Sequence, residues 1–182
     1  MASPDDPPFL ITLGFDPATF GRLDELRHRY FPPERNQVPA HLSLFHQLPG
    51  DEWDSIDSTL DRLARASSPI PIRFKGVKPT GRGVMIVVDA PGLPALRSEL
   101  AKTFARHLTA QDRQPYHPHV MIMNKADRAE ADQALAEIQP TWSPWSGVGD
   151  RLILWRYLGG PWDQAATYPF LGPIATTSGK LS

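Results

Sequence analysis

The sequence predicts an α+β fold built from one unit used twice, and three observations carry that expectation. Strand-like and helix-like segments follow the order strand, helix, strand, helix, strand, and the order then repeats. In each half the second strand carries histidine in a similar apolar setting, as His41-Leu42-Ser43-Leu44-Phe45-His46 and as His117-Pro118-His119-Val120-Met121-Ile122-Met123. The spacing agrees too, since His41 lies 32 residues beyond Phe9 and His119 lies 35 beyond Val84.

Residues 1–8 are acidic and proline-rich and are expected to be a flexible start, before a single two-lobed domain over 9–174 and a loose polar tail over 175–182. Phe9 to Phe15 is short, apolar and rich in strand formers, which suits a central strand. Asp16 is a suitable N-cap with Pro17 at the first helical position, and Phe20, Leu23, Leu26 and Tyr30 then recur at helical spacing up to Pro32-Pro33. The His41 strand closes at Pro49-Gly50, and Trp53, Ile56, Leu60 and Leu63 mark the next helix. Ile70, Ile72 and Phe74 alternate with Pro71, Arg73 and Lys75, giving a half-exposed strand with a basic outer side, and Pro71 argues for an edge. The turn at 79–83 leads into the all-apolar run Val84 to Val88, best placed mid-sheet. Leu93, Leu96, Leu100, Phe104 and Leu108 mark a third amphipathic helix, and Ala126 to Ile138 a fourth. Strand material follows at 142–145, at 152–157 and over Thr167 to Leu171.

Composition narrows the chemistry. Thirteen glycines and twenty prolines make about 18% of the chain, against a usual ~12%, so short elements and many turns are expected. There is no cysteine, which excludes disulfides, thiolate nucleophiles and thiolate zinc sites. A formal net charge of −1 provides no global field that would draw the protein onto long nucleic acid, but it leaves nucleotides and RNA ends open as partners. The start lacks the basic and apolar runs of a signal peptide, and no apolar run is long enough to span a membrane. A cytoplasmic monomer with no membrane partner is expected.

Alternate residues of a strand share a face, so His41, Ser43 and Phe45 are expected on one side and His46 on the other; His117, His119 and Met121 likewise share a side. Two imidazoles and a hydroxyl across a cleft suit acid–base work on a phosphodiester. One neutral imidazole takes a proton from the attacking oxygen, and the other, protonated, gives one to the leaving oxygen. Both states are accessible near neutrality for a group of pKa ~6.5, and no cofactor is required. Negative charge on the phosphoryl oxygens needs donors aimed at it, and Ser43 is one.

At these residues the sequence resembles the two-histidine phosphoesterase superfamily, in particular its 2′-5′ RNA ligase-like branch. The first motif matches as His41-Leu42-Ser43-Leu44, and the second in part as Pro118-His119-Val120-Met121-Ile122 after Tyr116, with the duplicated layout over residues 9 to 158. The resemblance implies a bilobal fold, two antiparallel sheets with outer helices around a central cleft that takes one histidine motif from each half. It also implies metal-independent opening of 2′,3′-cyclic phosphates or cleavage of 2′-5′ linkages in RNA or nucleotides, with His41 and His119 as the acid–base pair and Ser43 as a phosphate donor.

Met121 departs from the pattern, because it stands where the family has a hydroxyl and a thioether donates no hydrogen bond. Arg82, Lys75, Tyr116 and Tyr157 are candidate replacement donors, and His117 is a possible support for His119. Two rival readings follow. Met121, Met123 and Phe45 would make an apolar cleft suited to a nucleotide- or RNA-end-binding module with weak or lost catalysis, and His41, His117 and His119 would alternatively form a metal site. The tryptophans Trp142, Trp145, Trp155 and Trp162 are expected to pack the C-terminal third, with one free to stack on a base.

Overall fold

A computed structural model describes residues 6–36 and 38–173. The expected tail at 175–182 and residues 1–5 of the expected flexible start lie outside the described residues. Residues 6–8 lead directly into the sheet, and the Tyr157 amide donates to the Pro8 carbonyl at 2.9 Å.

The repeated order is present. The first unit is β1 (Phe9–Phe15), α1 (Pro17–Tyr30), β2 (Leu42–Leu48), α2 (Trp53–Ala66) and β3 (Ile70–Pro79). The second is β4 (Val84–Asp89), α3 (Leu93–Thr103), β5 (His119–Met123), α4 (Arg128–Ile138) and β6 (Trp145–Tyr157), after which β7 (Trp162–Pro169) closes the fold. The C-terminal strands differ from expectation in extent: one long β6 replaces two segments, and β7 starts earlier than Thr167. The helix expected to reach Leu108 ends at Thr103, with Phe104 still buried in the turn that follows.

All strand pairs are antiparallel, in the order β2-β1-β6-β3-β4-β5, with β7 on the free side of β6. The long β6 joins the two lobes: residues 145–149 pair with β3, and 149–156 pair with β1. Lobe 1 is therefore β2-β1-β6-β7 and lobe 2 is β5-β4-β3 with the start of β6, linked into one curled sheet. Gly149 sits where β6 changes neighbours, and a Cβ there would lie 2.5 Å from a Leu13 methyl, so the junction requires the bare backbone of glycine.

Each local choice has a physical reason. Asp16 caps α1 by accepting from the Ala18 and Thr19 amides at 3.0 and 3.1 Å, and its other oxygen accepts from the Val148 amide of β6. β1 is buried at all seven positions, so both faces of this strand are covered. Pro71 lies in an interior strand, which corrects the edge assignment: β4 pairs only from Arg73 onward, so at Pro71 no β4 ladder bond is lost.

The helices pack on the outer side of the curled sheet and cross between units. α2 lies against β7 and beside α3, whereas α1 of the first unit lies against β5 of the second. Two arginines mark this exchange. Arg27 of α1 donates to the Met121 carbonyl in β5 at 2.8 Å, and Arg97 of α3 donates to the Leu44 carbonyl in β2 at 3.2 Å.

Candidate active site

His41 immediately precedes β2 and His119 opens β5, so each imidazole sits at the mouth of its strand rather than within it. Both rings are held in the same way. His41 Nδ1 is 2.8 Å from the Pro39 carbonyl, and His119 Nδ1 is 2.8 Å from the His117 carbonyl, two residues upstream in each case. A carbonyl oxygen only accepts, so Nδ1 carries the hydrogen in both rings and Nε2 is the atom left for chemistry. The exposed His117 thus contributes its main-chain oxygen to the orientation of His119.

His41 also packs against the Trp162 ring, with centroids 4.8 Å apart, and Trp162 leans in turn on Trp155, whose indole N–H donates to Thr12 Oγ1 at 2.8 Å. Burial pushes the His41 pKa down to about 4, against a helping hydrogen bond to the Pro39 carbonyl and with further repulsion from Arg27, His46 and His119. His41 is therefore neutral at pH 7, with a lone pair on Nε2.

A cleft of about 360 Å³ opens at His41 and takes residues from both units: Arg27, Phe31, His41, Met121, Asn124, Lys125 and Trp162 are in its wall. His119 and Ser43 are not in that wall; Ser43 pairs with Thr12, whose hydroxyl accepts from Trp155. His119 lies two residues from Met121 on the same strand side, and its charge acts on His41. Ser43 is half-buried, and its hydroxyl has no protein partner among the described residues.

Several sequence-based assignments need correction. Phe45 does not share the side of His41 and Ser43. The β1–β2 register shifts between Thr12↔Ser43 and Ile11↔Phe45, and this bulge turns the fully buried Phe45 into the core against Phe104. The Tyr116 hydroxyl donates to the Ser43 carbonyl at 3.0 Å, and burial pushes its pKa up, so it braces the strand and is not aimed at the cleft. Arg82 donates to the Ala126 carbonyl at 3.1 Å, Lys75 lies exposed on β3, and Tyr157 is exposed at the end of β6; none lines the cleft. Met123 is 6% exposed and belongs to the core, so only Met121 contributes its thioether to the cleft. His117 turns outward, and among the described residues no three imidazole or carboxylate groups gather as a metal would need.

Arg27 is the main residue that sequence reasoning missed. It is 3% exposed, and it donates to the Met121 and Val38 carbonyls and to Asn36 Oδ1, which ties α1 to both histidine segments. Burial lowers its pKa to about 10, partly opposed by Asp24, so the guanidinium stays charged at pH 7. The signal was present: the buried residues of α1 are Thr19, Leu23 and Arg27, a four-residue spacing that places arginine in the apolar stripe. Asn124 and Lys125 follow β5 directly. The Lys125 amide donates to Asn124 Oδ1 at 2.9 Å, Lys125 has the left-handed φ of 56°, and its carbonyl accepts from Arg35. This turn brings an amide and an ammonium to the cleft on the side where Met121 offers no donor.

Comparison with known proteins agrees with this architecture. Residues 15–161 match the model of the 2′-5′ RNA ligase superfamily. No curated protein sequence matches. Among solved structures, TT0787 of Thermus thermophilus superposes with a TM-score of 0.66 at 18% identity, covering 91% of this chain and 98% of that one. Escherichia coli LigT complexed with 3′-AMP gives a TM-score of 0.61 at 18% identity, over 90% and 98%. LigT complexed with NADP+ gives 0.58 at 15%, over 91% and 98%.

Proposed function

The chain belongs to the 2′-5′ RNA ligase superfamily, and from that premise we propose that it is a metal-independent phosphodiesterase acting on 2′,3′-cyclic phosphate or 2′-5′ phosphodiester ends of RNA or nucleotides. The observation that carries the reading is the matched anchoring of His41 and His119, each with Nδ1–H on a carbonyl two residues upstream, which leaves Nε2 of each ring to take or give a proton. For a cyclic phosphate, His41 Nε2 takes a proton from water as the water oxygen bonds to phosphorus. The bond from phosphorus to one ribose oxygen breaks, and protonated His119 delivers its Nε2 proton to that oxygen. The neutral state of His41 favours it as the base. Lys125 and Asn124 of the cleft wall, with Ser43 two residues beyond His41, receive the growing charge on the non-bridging oxygens.

Fold similarity to a protein crystallised with 3′-AMP and with NADP+ supports a nucleotide-like ligand. The test is to offer chelator-treated protein a panel of 2′,3′-cyclic nucleotides and 2′-5′ dinucleotides and to identify the products. Turnover that survives chelation is expected, and its loss with recovery on added zinc or manganese would overturn the metal-independent mechanism. Met121 favours one second reading, a module that binds the same ligands without efficient turnover, for which tight binding with no product is the signature.

A further inference from the structure

Lobe 2 turns one side of its sheet away from its helices, and that side is open and basic. α4 packs on β3 and β4, where Phe74, Val77, Ile86 and Val88 are buried. On the opposite side Arg73, Lys75 and Lys78 are exposed, and Met85, Val87, His119 and Met121 are half-buried. The register connects these residues in two rows, Lys78–Met85–Met121 and Gly76–Val87–His119. Two strand spacings of ~4.8 Å put Lys78 roughly 10 Å from Met121, with Lys75 and Arg73 further along β3. A register shift between Phe74 and Gly76 leaves Lys75 without an opposite residue and keeps it on the open side.

The charge there is local and largely uncompensated. Residues 70–89 hold four cations, Arg73, Lys75, Lys78 and Arg82, against one acid, Asp89, which stands opposite Arg73 in the ladder, in a chain of net charge −1. Among the described residues Arg73 and Lys78 form no ion pair, and Lys75 reaches Asp89 only at 4.0 Å. Lobe 1 is the reverse. Arg151 is clamped on both oxygens of Asp150 at 2.6 and 2.8 Å, Arg156 lies 3.7 Å from Asp163, and Leu10, Thr12 and Trp155 are buried on the corresponding side.

We propose that the open side of lobe 2 is the docking surface for a single RNA strand whose cyclic-phosphate end occupies the histidine cleft, with Arg73, Lys75 and Lys78 on its backbone phosphates. This rests on the phosphodiesterase reading and adds to it the surface that holds the strand upstream of the reacting end. The occupant follows from charge complementarity: Arg73 to Lys78 spans roughly 16 Å of strand, room for several successive phosphates, beside a Met85–Val87 floor on which bases can lie.

The test compares wild type with the double variant R73Q/K78Q on a 2′,3′-cyclic mononucleotide and on an octaribonucleotide ending in a 2′,3′-cyclic phosphate. The variant is expected to lose about 5–20-fold in kcat/KM on the octamer and less than about twofold on the mononucleotide. Its slope of log kcat/KM against log salt should be shallower by about 1.4, at ~0.7 per phosphate contact on a single strand. Fluorescence anisotropy with the same octamer is read independently of turnover. Equal octamer affinity for the two proteins, or an equal loss on both substrates, overturns the proposal. If neither protein turns over either substrate while the variant still binds the octamer more weakly, the phosphodiesterase reading fails and the strand surface stands.

Discussion

Arg27 Nη1 and the Met121 carbonyl lie 2.8 Å apart, and through this bond a helix of the first unit holds the histidine strand of the second. Arg27→Met removes four charge-assisted hydrogen bonds to three acceptors and leaves the Met121 and Val38 carbonyls without this donor. A destabilisation of about 2–4 kcal/mol is expected in chemical denaturation. Loss of the guanidinium also removes repulsion on protonated His41, so the acid limb of the rate profile should move to higher pH in this variant. A stability loss with the acid limb unmoved would show that the Arg27 charge does not reach the site.

The His41 pKa predicts an asymmetric pH response. With His41 as the base in free enzyme, the acid limb of log kcat/KM should fall near pH 4, well below the ordinary imidazole value of 6.5. Stability is linked with a definite sign. Between pH 6.5 and about 4 the unfolded chain takes up a proton at His41 that the folded chain refuses, so stability is full above 6.5 and declines as pH falls through that window. His41→Gln should flatten this arm of the stability curve, measured by urea denaturation at intervals between pH 7 and 4, while abolishing turnover. An unchanged arm would place the acid sensitivity elsewhere.

His46 belongs to the scaffold. Asp112 is 2% exposed and accepts from the His46 amide at 3.1 Å and from His46 Nδ1 at 2.8 Å. The carboxylate thereby satisfies an N–H at the irregular end of the β1–β2 ladder and pins the segment before β5 onto β2. His46→Ala is expected to cost ~1 kcal/mol and Asp112→Ala about 2–4 kcal/mol, each with kcat within about threefold of wild type below the melting range. Burial raises the Asp112 pKa, but bonding from His46 more than offsets this and leaves it below 3.8. Its contribution is therefore present above pH 3.8 and lost as pH drops through the lower folded value, a window separate from that of His41. Loss of turnover in a folded His46→Ala protein, with His41→Ala active, would show that His46 and not His41 carries the chemistry.

The duplicated order was legible because strand alternation, helical spacing and Asp16-Pro17 capping are local signals, and the two histidine motifs fall at matched places, just before β2 and at the head of β5. Phe45 was misplaced because a bulge is decided by the pairing strand, which period-two reasoning on β2 alone does not contain. Tyr116 and Arg82 looked like free donors because the carbonyls that occupy them, on Ser43 and Ala126, are 73 and 44 residues away in the chain. Arg27 was readable in part, as a charge in an apolar stripe, but its acceptors lie on β5 and in the loop before His41. β6 was split because glycines at 147 and 149 interrupt its pattern, although close packing at the lobe junction is what excludes a side chain at Gly149.

Met121 offers the sharpest discrimination between enzyme and binding module. Its side chain lines the cleft with His41, at the position in the second unit that Ser43 holds in the first. Removing one well-aimed oxyanion donor typically costs ~10²–10³ in rate, so adding one by Met121→Thr should raise kcat by ~10-fold or more, allowing for imperfect aim. KM should change less, because the new bond is strongest to the charge of the transition state. Threonine suits a strand, and the Met121 carbonyl that Arg27 holds is untouched by the swap; the lost volume is expected to cost about 1–2 kcal/mol. The check is steady-state kinetics on 2′,3′-cyclic nucleotides with a parallel denaturation curve. A folded Met121→Thr protein with unchanged kcat would mean that Asn124 or Lys125 already supplies the donor, and Lys125→Ala or Asn124→Ala should then lower kcat by ~10-fold or more. If wild type and Met121→Thr bind cyclic nucleotides equally and neither yields product, the cleft is a binding site and the phosphodiesterase reading falls.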